Sequence, residues 1–429
     1  MSLAQFQDDS AIRDLILRLV QRETRAGASL PRDEEDLVKT GAVDSMGWVG
    51  ILSGIEEATG IRNFGAAWPE GRPQSIRALI ETFRDARLQV QSLSREQESQ
   101  ARGSADRSVS VTGWGFALGS KIVTAASVDE ECGLPTGTMT DRAGIETVAR
   151  ATEGENEITL GVKAAELALE KAGLGPEVID VLLGTSATSI GFPSFAALLH
   201  NRLLLRESCA AVDIGGACVA VIHALATAHR LLDTARRRTA LVIASEVNSR
   251  MLARPGVPGE FRGLFGDGAC AFVLQGAEDH SAKGFRLGDF ASGCSGAFSS
   301  SLGLTLRDHG ELEVVFKGEQ LANAAVAALN QVVGNLEGLS GKQRSQVDCF
   351  AIHEPNPRLV GIFAQRAGIP LEKIPRIAHT SGNLGSVTCG VNLCSALTRL
   401  EGIPGDSHGR VIFAATVGPG LLWSGTYLS

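Results

Sequence analysis

Residues 210–232 read AAVDIGGACVAVIHALATAHRLL, and this stretch decides the fold class of the chain. A short β-branched run is followed by a glycine pair, by Cys218 and by an apolar segment with helical spacing. A strand, a glycine turn and a cysteine at a helix start place the sulfur near the positive end of the helix dipole, beside free backbone N–H groups. This position is expected to lower the pKa of the thiol. Cys218 is therefore the candidate nucleophile of an α/β protein.

The alternative role for any cysteine is that of a small buried thiol in the core. We assign that role to the other cysteines, which are Cys132, Cys209, Cys270, Cys294, Cys349, Cys389 and Cys394. Scattered thiols in a chain whose start lacks the pattern of a secretory signal predict reduced cysteines and a cytoplasmic protein.

Two polar residues in the second half of the chain are candidate partners for Cys218. The predicted strand VDCFAIH (347–353) ends at His353, and a predicted strand over 376–383 runs into a glycine turn at Asn383. Either residue alone suits a turn cap. Because ligands of α/β sheets bind at the carboxyl ends of strands, we expect both side chains beside the cysteine. A thiol with two nitrogen groups suits thioester chemistry and the stabilisation of an enolate.

Strand and helix patterns alternate from residue 108 onward, which predicts an α/β layered fold. The pattern also repeats after about 170 residues, as Asp180 and Asp348 show by preceding similar strands. We therefore expect two similar halves: residues 108–280 with the cysteine, and residues 281–429 with the histidine and the asparagine.

The first 90 residues differ, because apolar residues recur at helical spacing in the segments 11–24, 46–55 and 75–87. Residues 91–107 are polar and charged, which is typical of a linker. The sequence thus predicts a small all-helical domain at 1–90, joined by this linker to the larger domain.

Ser45 lies between an acidic loop and the second predicted helix. Serine commonly caps a helix, which is the alternative role for this residue. Seven acidic residues and one base, Lys39, lie between Asp33 and Glu57. An exposed serine at the start of an acidic helix suits a modification site that basic partners recognise.

The composition excludes several classes of protein. The chain has 429 residues and a formal net charge of −8, so it lacks the basic excess of a nucleic-acid binder. No run of about 18 apolar residues suits a membrane span, and no spacing of His, Cys and Asp suggests a metal site. We expect an enzyme without a nucleic acid, a membrane or a metal as partner.

The large domain resembles β-ketoacyl-acyl carrier protein synthase III, of the thiolase superfamily, over about residues 109–429. The motifs that carry the resemblance are, in order, Phe192-Pro193-Ser194, Cys218, Phe265-Gly266-Asp267-Gly268-Ala269, His353 with Asn356, and Asn383. The resemblance implies a thiolase-like duplicated α/β/α/β/α layered fold and a homodimer in which Phe192 caps the partner's acyl pocket. It further implies that Cys218 is acylated and that His353 with Asn383 promotes decarboxylative condensation.

The small domain resembles an acyl carrier protein over about residues 10–88. Asp44-Ser45-Met46 matches the modification motif of that family, and Gly41-Ala42-Val43 precedes it. The resemblance implies a small all-α four-helix bundle and a 4'-phosphopantetheine group on Ser45, attached by a phosphopantetheinyl transferase.

The resemblance also assigns residues to substrate and carrier binding. Arg142, Arg262 and Asn356 match positions that hold coenzyme A or phosphopantetheine. Arg358 and Arg366 match positions that dock the acidic helix of a carrier protein, whereas a solvated helix face is their alternative role.

Two departures from the family pattern concern the donor and the oxyanion hole. Thr138 stands where an aromatic residue stacks on adenine, and Glu146 replaces a base, which weakens the grip on a polyanionic nucleotide. A carrier-bound acyl donor is therefore expected as an alternative to a coenzyme A thioester. Pro419 has no N–H in the loop that completes the oxyanion hole, so either the amide of Cys218 suffices or the loop is shifted.

These patterns predict an acyltransferase of the condensing type. An acyl thioester loads Cys218 and is then coupled to a decarboxylating malonyl-type thioester, held by an acyl carrier protein, in fatty-acid or polyketide-type biosynthesis. The alternatives are an acyltransferase that moves the acyl group without decarboxylation, and a non-catalytic subunit that docks a carrier.

Overall fold

The computed structural model describes residues 9–24, 31–59, 74–85, 87, 108–232, 237–277, 284–401 and 409–429. The chain divides into two units, Met1–Ala105 and Asp106–Ser429. The predicted linker at residues 91–107 lies outside the described residues.

The first unit has three helices in its described part: α1 (Asp9–Glu23), α2 (Ser45–Thr59) and α3 (76–85). Their apolar stripes pack into one core that includes Ile12, Ile16, Val20, Leu37, Ile51, Ile55, Leu79 and Phe83. The helical spacing read from the sequence therefore corresponds to buried faces. The four-helix bundle stays a prediction, because residues 60–73 lie outside the described part.

The second unit alternates strands and helices. Its strands are β1 (Ser108–Leu118), β2 (Lys121–Thr124), β3 (Thr147–Arg150), β4 (Val181–Thr185), β5 (Ala210–Asp213), β6 (Thr239–Val247), β7 (Asp267–Ala277), β8 (Phe285–Cys294), β9 (Leu302–Leu306), β10 (Leu312–Phe316), β11 (Cys349–Ile352), β12 (Ile412–Gly418) and β13 (Leu422–Leu428). Its helices are α4 (Ala125–Glu131), α5 (Glu157–Ala172), α6 (Phe195–Arg202), α7 (Ala220–Leu232), α8 (Asn248–Met251), α9 (Gly259–Arg262), α10 (Gly318–Ser340), α11 (Pro357–Ala367), α12 (Ala378–Ser381) and α13 (Val387–Glu401).

Nine strands form one sheet in the order β11-β12-β13-β8-β1-β7-β6-β4-β5. Its halves meet where β1 and β8 pair over only two positions, Ser110 with Arg286 and Val111 with Phe285. In one half β4 is parallel to β5 and β6, and in the other β11 is parallel to β12. Parallel strands direct their carboxyl ends to one edge, which is where a site is expected.

The buried clusters show five layers. Helices α5 and α6 cover the outer face of the first half-sheet, and α10 and α11 cover the outer face of the second. Helices α7 and α13 lie between the two half-sheets, so that alternate residues of each central strand face a different layer. Among the described residues, no helix has the length and apolar character needed to cross a membrane.

The repeat predicted from Asp180 and Asp348 has a structural counterpart. The Asp180 carboxylate accepts the N–H of Thr239 at 3.0 Å, at the start of β6. The Asp348 carboxylate accepts the N–H of Val411 at 2.7 Å, just before β12. Each aspartate thus ties two neighbouring parallel strands in its own half, and the duplicated layered fold is observed.

One predicted strand is wrong. Residues 376–383 contain the short helix α12 instead of a strand. The Glu354 carboxylate accepts the N–H of Ala378 at 3.3 Å, at the first residue of this helix. A buried acceptor for a free helix N–H favours the helical turn over an extended chain.

Candidate active site

Cys218 lies in a tight turn between the end of β5 and the start of α7. A 3-10 turn, Ala217–Val219, contains it, and φ is +48° at Ala217 and +132° at Gly216. A Cβ on Gly216 would lie 2.9 Å from Nδ1 of His223. The close approach and the positive φ require glycine at 216, the second glycine of the pair before the cysteine.

The Cys218 side chain is partly exposed, although protein atoms surround it on most sides. Burial, with the negative charge of Glu246, raises the pKa of the Cys218 thiol to about 12. The helix dipole led us to expect a lowered pKa. Because α7 begins only at Ala220 and a thiolate here would be poorly solvated, burial outweighs the dipole. Cys218 is therefore a protonated thiol near pH 7, with its own amide N–H within hydrogen-bonding reach of the sulfur.

His353 follows β11 directly, and its backbone N–H donates to the carbonyl of Ala415 in β12 at 3.0 Å. The side chain is buried, and its Nδ1 has no hydrogen-bond partner among the described residues. Burial lowers the pKa of His353 to about 4. The imidazole is therefore neutral near pH 7 and has one N–H to donate.

Two donors hold the amide oxygen of Asn383. The N–H of Gly385 donates to it at 2.9 Å, and the hydroxyl of Thr388 donates to it at 3.1 Å. Because the oxygen is engaged inside the turn, the amide nitrogen is the part of the side chain left to meet a ligand. The turn therefore presents an N–H donor.

The FGDGA segment (265–269) positions the Asn383 turn. The N–H of Asn383 donates to the carbonyl of Leu264 at 2.8 Å, and the N–H of Gly266 donates to the carbonyl of Asn383 at 3.0 Å. A side chain on Gly266 would collide with the carbonyl of Ser381, so the two segments cross closely only at a glycine. The FGDGA segment thus supports the Asn383 turn, which lies in the other half of the fold.

Cys218, His353 and Asn383 line a single cavity of about 110 Å³. Much of the remaining lining is apolar and includes the rings of Phe261, Phe265 and Phe316. An apolar cavity with a thiol and two nitrogen groups strengthens the interaction of those donors with a developing negative charge. The structure therefore brings together the three side chains that the sequence predicted to act together.

The loop at 418–420 lies against the nucleophile. A Cβ on Gly418 would stand 3.2 Å from Cβ of Cys218, and the hydroxyl of Thr416 donates to the Cys218 carbonyl at 2.8 Å. Pro419 lines the cavity but has no N–H to donate. This favours the alternative in which the amide of Cys218 supplies the backbone donor.

The positions predicted to meet coenzyme A differ in what they offer a ligand. Thr138 is buried and donates its hydroxyl to a backbone carbonyl at 2.6 Å, so it offers no surface for an adenine ring. Arg262 donates to the carbonyl of Glu131 at 2.8 Å. The Arg142 guanidinium lies 3.9 Å from the Glu260 carboxylate.

Helix α11 joins the cavity to an exposed basic face. Asn356 lines the cavity and caps the helix, since its Oδ1 accepts the N–H of Leu359 at 3.0 Å. Arg358, Ile362 and Arg366 follow at intervals of four residues and are exposed. The predicted docking residues thus form one stripe with an apolar centre.

Phe192 is fully exposed in the loop between β4 and α6, and Ile190 beside it is 68% exposed. The Asp213 carboxylate, at the end of β5, anchors the start of α6 by accepting its first two N–H groups. The loop predicted to reach a partner subunit is therefore held at its base and apolar at its tip.

Ser45 is the first residue of α2. The side chain of Asp44 accepts the N–H of Gly47 at 2.8 Å and caps this helix. The capping role considered for Ser45 is therefore filled by its neighbour.

Two buried acids beside the site were not identified from the sequence. Glu246 in β6 and Glu354, next to His353, have no more than 1% of their surface exposed. Burial raises the pKa of each carboxyl to about 7. The signal for Glu246 is an acid inside the otherwise apolar run TALVIASEV, since a buried carboxyl requires partners.

Two protein-family models match the second unit. Residues 212–296, which contain Cys218, match 3-oxoacyl-[acyl-carrier-protein (ACP)] synthase III. Residues 339–429, which contain His353 and Asn383, match the C-terminal model of the same family.

Relatives and solved structures agree with this match. The β-ketoacyl-[acyl-carrier-protein] synthase III of Rhizobium meliloti (strain 1021) is 30% identical over 327 residues, which cover 74% of this chain and 98% of that protein. The crystal structure of 3-oxoacyl-[acyl-carrier-protein] synthase III from Aquifex aeolicus VF5 superimposes with a TM-score of 0.66 at 26% identity, over 75% of this chain and 99% of that one. The corresponding structure from Pseudomonas aeruginosa PAO1 gives a TM-score of 0.66 at 25% identity, over 75% and 98%.

Proposed function

This chain belongs to the 3-oxoacyl-[acyl-carrier-protein] synthase III family, and on that premise we propose how its residues carry out the reaction. It is a condensing enzyme of the ketosynthase III type, an acyltransferase of fatty-acid or polyketide biosynthesis. Cys218, His353 and Asn383 line one cavity, and the roles proposed below rest on this observation.

Cys218 receives the acyl group in the first step. Its sulfur attacks the thioester carbonyl, the bond to the donor's sulfur breaks, and the thiol proton leaves on the donor thiol. The raised pKa of Cys218 means that the proton departs during the attack rather than before it. The amide N–H of Cys218 stabilises the oxyanion that forms.

His353 and Asn383 act on the second substrate, a malonyl-type thioester. Loss of carbon dioxide leaves its electron pair as an enolate, whose oxygen accepts N–H bonds from neutral His353 and from the Asn383 amide. The enolate carbon then attacks the acyl carbonyl on Cys218. The carbon–sulfur bond breaks, and the released thiolate takes a proton from solvent.

Peptide mass spectrometry of the full chain separates the two steps. The protein is made with a phosphopantetheinyl transferase, loaded with malonyl and given a panel of acyl thioesters. We expect the acyl group on Cys218, followed by condensation with loss of carbon dioxide. Cys218→Ala should abolish both steps, whereas His353→Ala should keep acylation and lose condensation by about 100-fold or more, as removal of one such donor does.

The buried role expected for Cys294 is wrong, because its thiol is exposed, and it lies outside the cavity lining. Cys294→Ser is therefore the matched control, and serine keeps a donor for the carbonyl of Gly420 that the thiol contacts. An acyl group on Cys218 beside an intact malonyl group would indicate transfer without decarboxylation. A chain that never acylates Cys218 would instead be a docking subunit. Unchanged condensation in His353→Ala would refute the role given to the histidine.

A second part of the proposal is that Ser45 carries 4'-phosphopantetheine. Its position at the start of α2, next to the capping Asp44 and among acidic residues, supports this role. The Ser45 peptide should gain the arm in the wild type, and Ser45→Ala should not gain it at any residue. If the wild-type Ser45 peptide stays unmodified, residues 1–90 are a docking module instead.

We further propose that the donor is carrier-bound in preference to a coenzyme A thioester. Buried Thr138 offers no stacking surface, and Arg262 donates to the carbonyl of Glu131. Without an aromatic platform, the adenine ring of a nucleotide adds little binding energy. We expect kcat/KM to be higher for an acyl carrier protein thioester than for the coenzyme A thioester of the same acyl group, and the reverse order would overturn the preference.

The active form is proposed to be a homodimer. Strand β5 is the last strand of the sheet and pairs only with β4 among the described strands. Exposed apolar residues surround this edge: Ile190, Phe192, Leu204 and Val212. An unprotected edge strand with apolar neighbours suits pairing with a second copy, whose Phe192 would then close the acyl pocket.

A further inference from the structure

Two buried glutamates lie on opposite sides of the turn that carries Asn383. Glu246 comes from β6 in the first half of the fold, and Glu354 comes directly after His353 in the second half. Neither belongs to the lining of the cavity. Buried carboxyl groups are costly unless donors surround them, so their partners show what they are for.

Glu246 holds the chain just after Asn383. Its carboxylate accepts the hydroxyl of Ser386 at 2.6 Å. The same carboxylate accepts the backbone N–H groups of Ala187 at 3.0 Å and Thr188 at 3.1 Å, in the loop after β4. All its partners are donors, so both oxygens of Glu246 are used as acceptors. The glutamate therefore fixes the far end of the turn to the first half-sheet.

Glu354 holds the chain just before Asn383. One of its oxygens, Oε1, accepts the amide of Asn392 in α13 at 2.9 Å and the N–H of Ala378 at 3.3 Å. Its other oxygen, Oε2, is buried and has no partner among the described residues. Asn392 extends the connection by donating to the carbonyl of Ile352, the last residue of β11, at 2.8 Å. Glu354 thus connects the strand before His353 to the helix that leads into the Asn383 turn.

We infer that Glu246 and Glu354 are positioning residues that hold the Asn383 amide beside His353 and Cys218. The inference rests on the function proposed above, because it assigns to Asn383 a task only in condensation. A misplacement of about 1 Å in such a donor is enough to cost about 100-fold in rate. The acylation of Cys218 does not use Asn383 and should tolerate that displacement.

The two glutamates differ in whether a glutamine can keep the hydrogen bonds of the carboxylate. At Glu246, the backbone N–H of Ala187 lies 3.1 Å from Oε1 and 3.0 Å from Oε2, so the NH2 group of a glutamine faces this donor in either orientation. Glu246→Gln therefore sets two donors against each other. At Glu354, the glutamine oxygen can occupy the Oε1 position, and its NH2 group falls where no partner stands. Glu354→Gln should therefore keep the connection that Glu354→Ala removes.

The test measures both steps on the full, loaded chain: acylation of Cys218 and condensation. For Glu246→Gln and Glu354→Ala we expect condensation reduced by about 10- to 100-fold and acylation no slower than about half the wild-type rate. In Glu246→Gln acylation should be equal or faster, because the charge that helps to raise the pKa of the Cys218 thiol is removed. For Glu354→Gln we expect both steps within about threefold of the wild type. Ser386→Ala removes the contact to Glu246 with a smaller change in the core and should also slow condensation alone.

Glu155→Gln is the matched control. Glu155 is a buried glutamate that also accepts only from donors, namely Ser120, Thr152 and Lys163, and it lies outside the cavity lining. Its loss should lower thermal stability without separating the two steps. This variant shows what a purely structural glutamate does.

The outcomes are distinct. Equal losses of acylation and condensation in Glu246→Gln, Glu354→Ala and Ser386→Ala would show a structural role and overturn the inference, as would condensation at the wild-type rate in all three. A failure of the proposed function shows differently: the wild type itself would then not condense, or Asn383→Ala would condense as fast as the wild type.

Discussion

At the scale of single residues, the site depends on how closely backbone approaches the nucleophile. Gly418 allows the loop at 418–420 to touch Cys218, and Gly216 allows the turn before it. The sequence showed glycines at both places but not which neighbour each one admits. A glycine's purpose is set by the atom opposite its missing side chain.

Gly418→Ala should slow acylation of Cys218 by about tenfold or more, because the added methyl group would stand 3.2 Å from Cβ of the cysteine and displace it. Single-turnover acylation followed by mass spectrometry measures this. The control is Gly338→Ala in α10, where the new methyl group meets open space and should leave the rate unchanged while stabilising the helix by about 0.5–1 kcal/mol. Equal rates for Gly418→Ala and the wild type would refute the steric argument.

The titration of Glu246 gives a pH-dependent stability of known sign. Burial raises the pKa of Glu246 from 4.5 to about 7, so between these values the folded state keeps a proton that the unfolded state has lost. The stability that the folded state gains from this proton is present at low pH and is lost as the pH rises through 7. The stability advantage of the wild type over Glu246→Gln should therefore shrink from pH 5 to pH 8, on the order of 1–3 kcal/mol.

Thermal unfolding midpoints of both proteins at pH 5 and pH 8 provide the measurement. The stability difference between the wild type and Glu155→Gln should be the same at pH 5 and at pH 8. Hydrogen bonds and Lys163 overcome the burial of Glu155 and hold its pKa at about 2, so its carboxylate stays ionised over this range. If the midpoints of the wild type and Glu246→Gln differ by the same amount at pH 5 and at pH 8, the raised pKa of Glu246 is contradicted.

At the scale of elements, the positions of His353 and Asn383 come from different kinds of support. His353 follows a strand whose parallel pairing fixes it, as the apolar run at 347–353 predicted. Asn383 follows a short helix and is held by the FGDGA segment through an isolated bridge between Phe265 and Asn383. Local pattern could not reveal this bridge, because the two segments are far apart in the chain.

Helix α11 carries the charge that should attract a carrier. Arg358→Glu combined with Arg366→Glu should raise KM for a carrier-bound substrate by about tenfold at low salt, since both side chains are exposed on the helix that begins after the cavity-lining residue Asn356. kcat for a small thioester such as that of N-acetylcysteamine should not change.

Lys342→Glu, which reverses another exposed charge, controls for net charge and should leave KM as it is. Steady-state kinetics at two salt concentrations distinguish the cases. A KM that is the same in the double variant and the wild type would show that α11 does not meet the carrier.

At the scale of the whole second unit, duplication explains why one half holds the nucleophile and the other its partners. The central helices α7 and α13 begin at the turns of Cys218 and Asn383, and both lie between the half-sheets. Each half therefore delivers one helix start to the same cavity. A single half would leave the thiol without its donors.

The edge of the sheet allows a test of assembly. Leu204→Glu should convert the proposed dimer to a monomer and abolish condensation, because Leu204 is 82% exposed beside the edge strand β5, and a charge there opposes burial in an interface. Size-exclusion chromatography with light scattering gives the mass, and the condensation assay gives the activity.

Ile122→Glu is the control, since Ile122 in β2 is 59% exposed on a different two-stranded sheet. A wild-type chain that is monomeric and active would refute the dimer. A dimeric Leu204→Glu variant would place the interface elsewhere.

The sequence by itself indicated the layered α/β class, the repeat, the three helices seen in the small unit and Cys218, His353 and Asn383 as candidate residues of one site. It could do so because periodicity and strand-end motifs are local properties of the chain. Only the tertiary structure decided the direction of the Cys218 pKa, the helix at 378–381, and the hydrogen-bond partners from which the roles of Glu246 and Glu354 are inferred. Each of these depends on burial, and on donors contributed by segments distant in the chain, which a linear pattern does not encode.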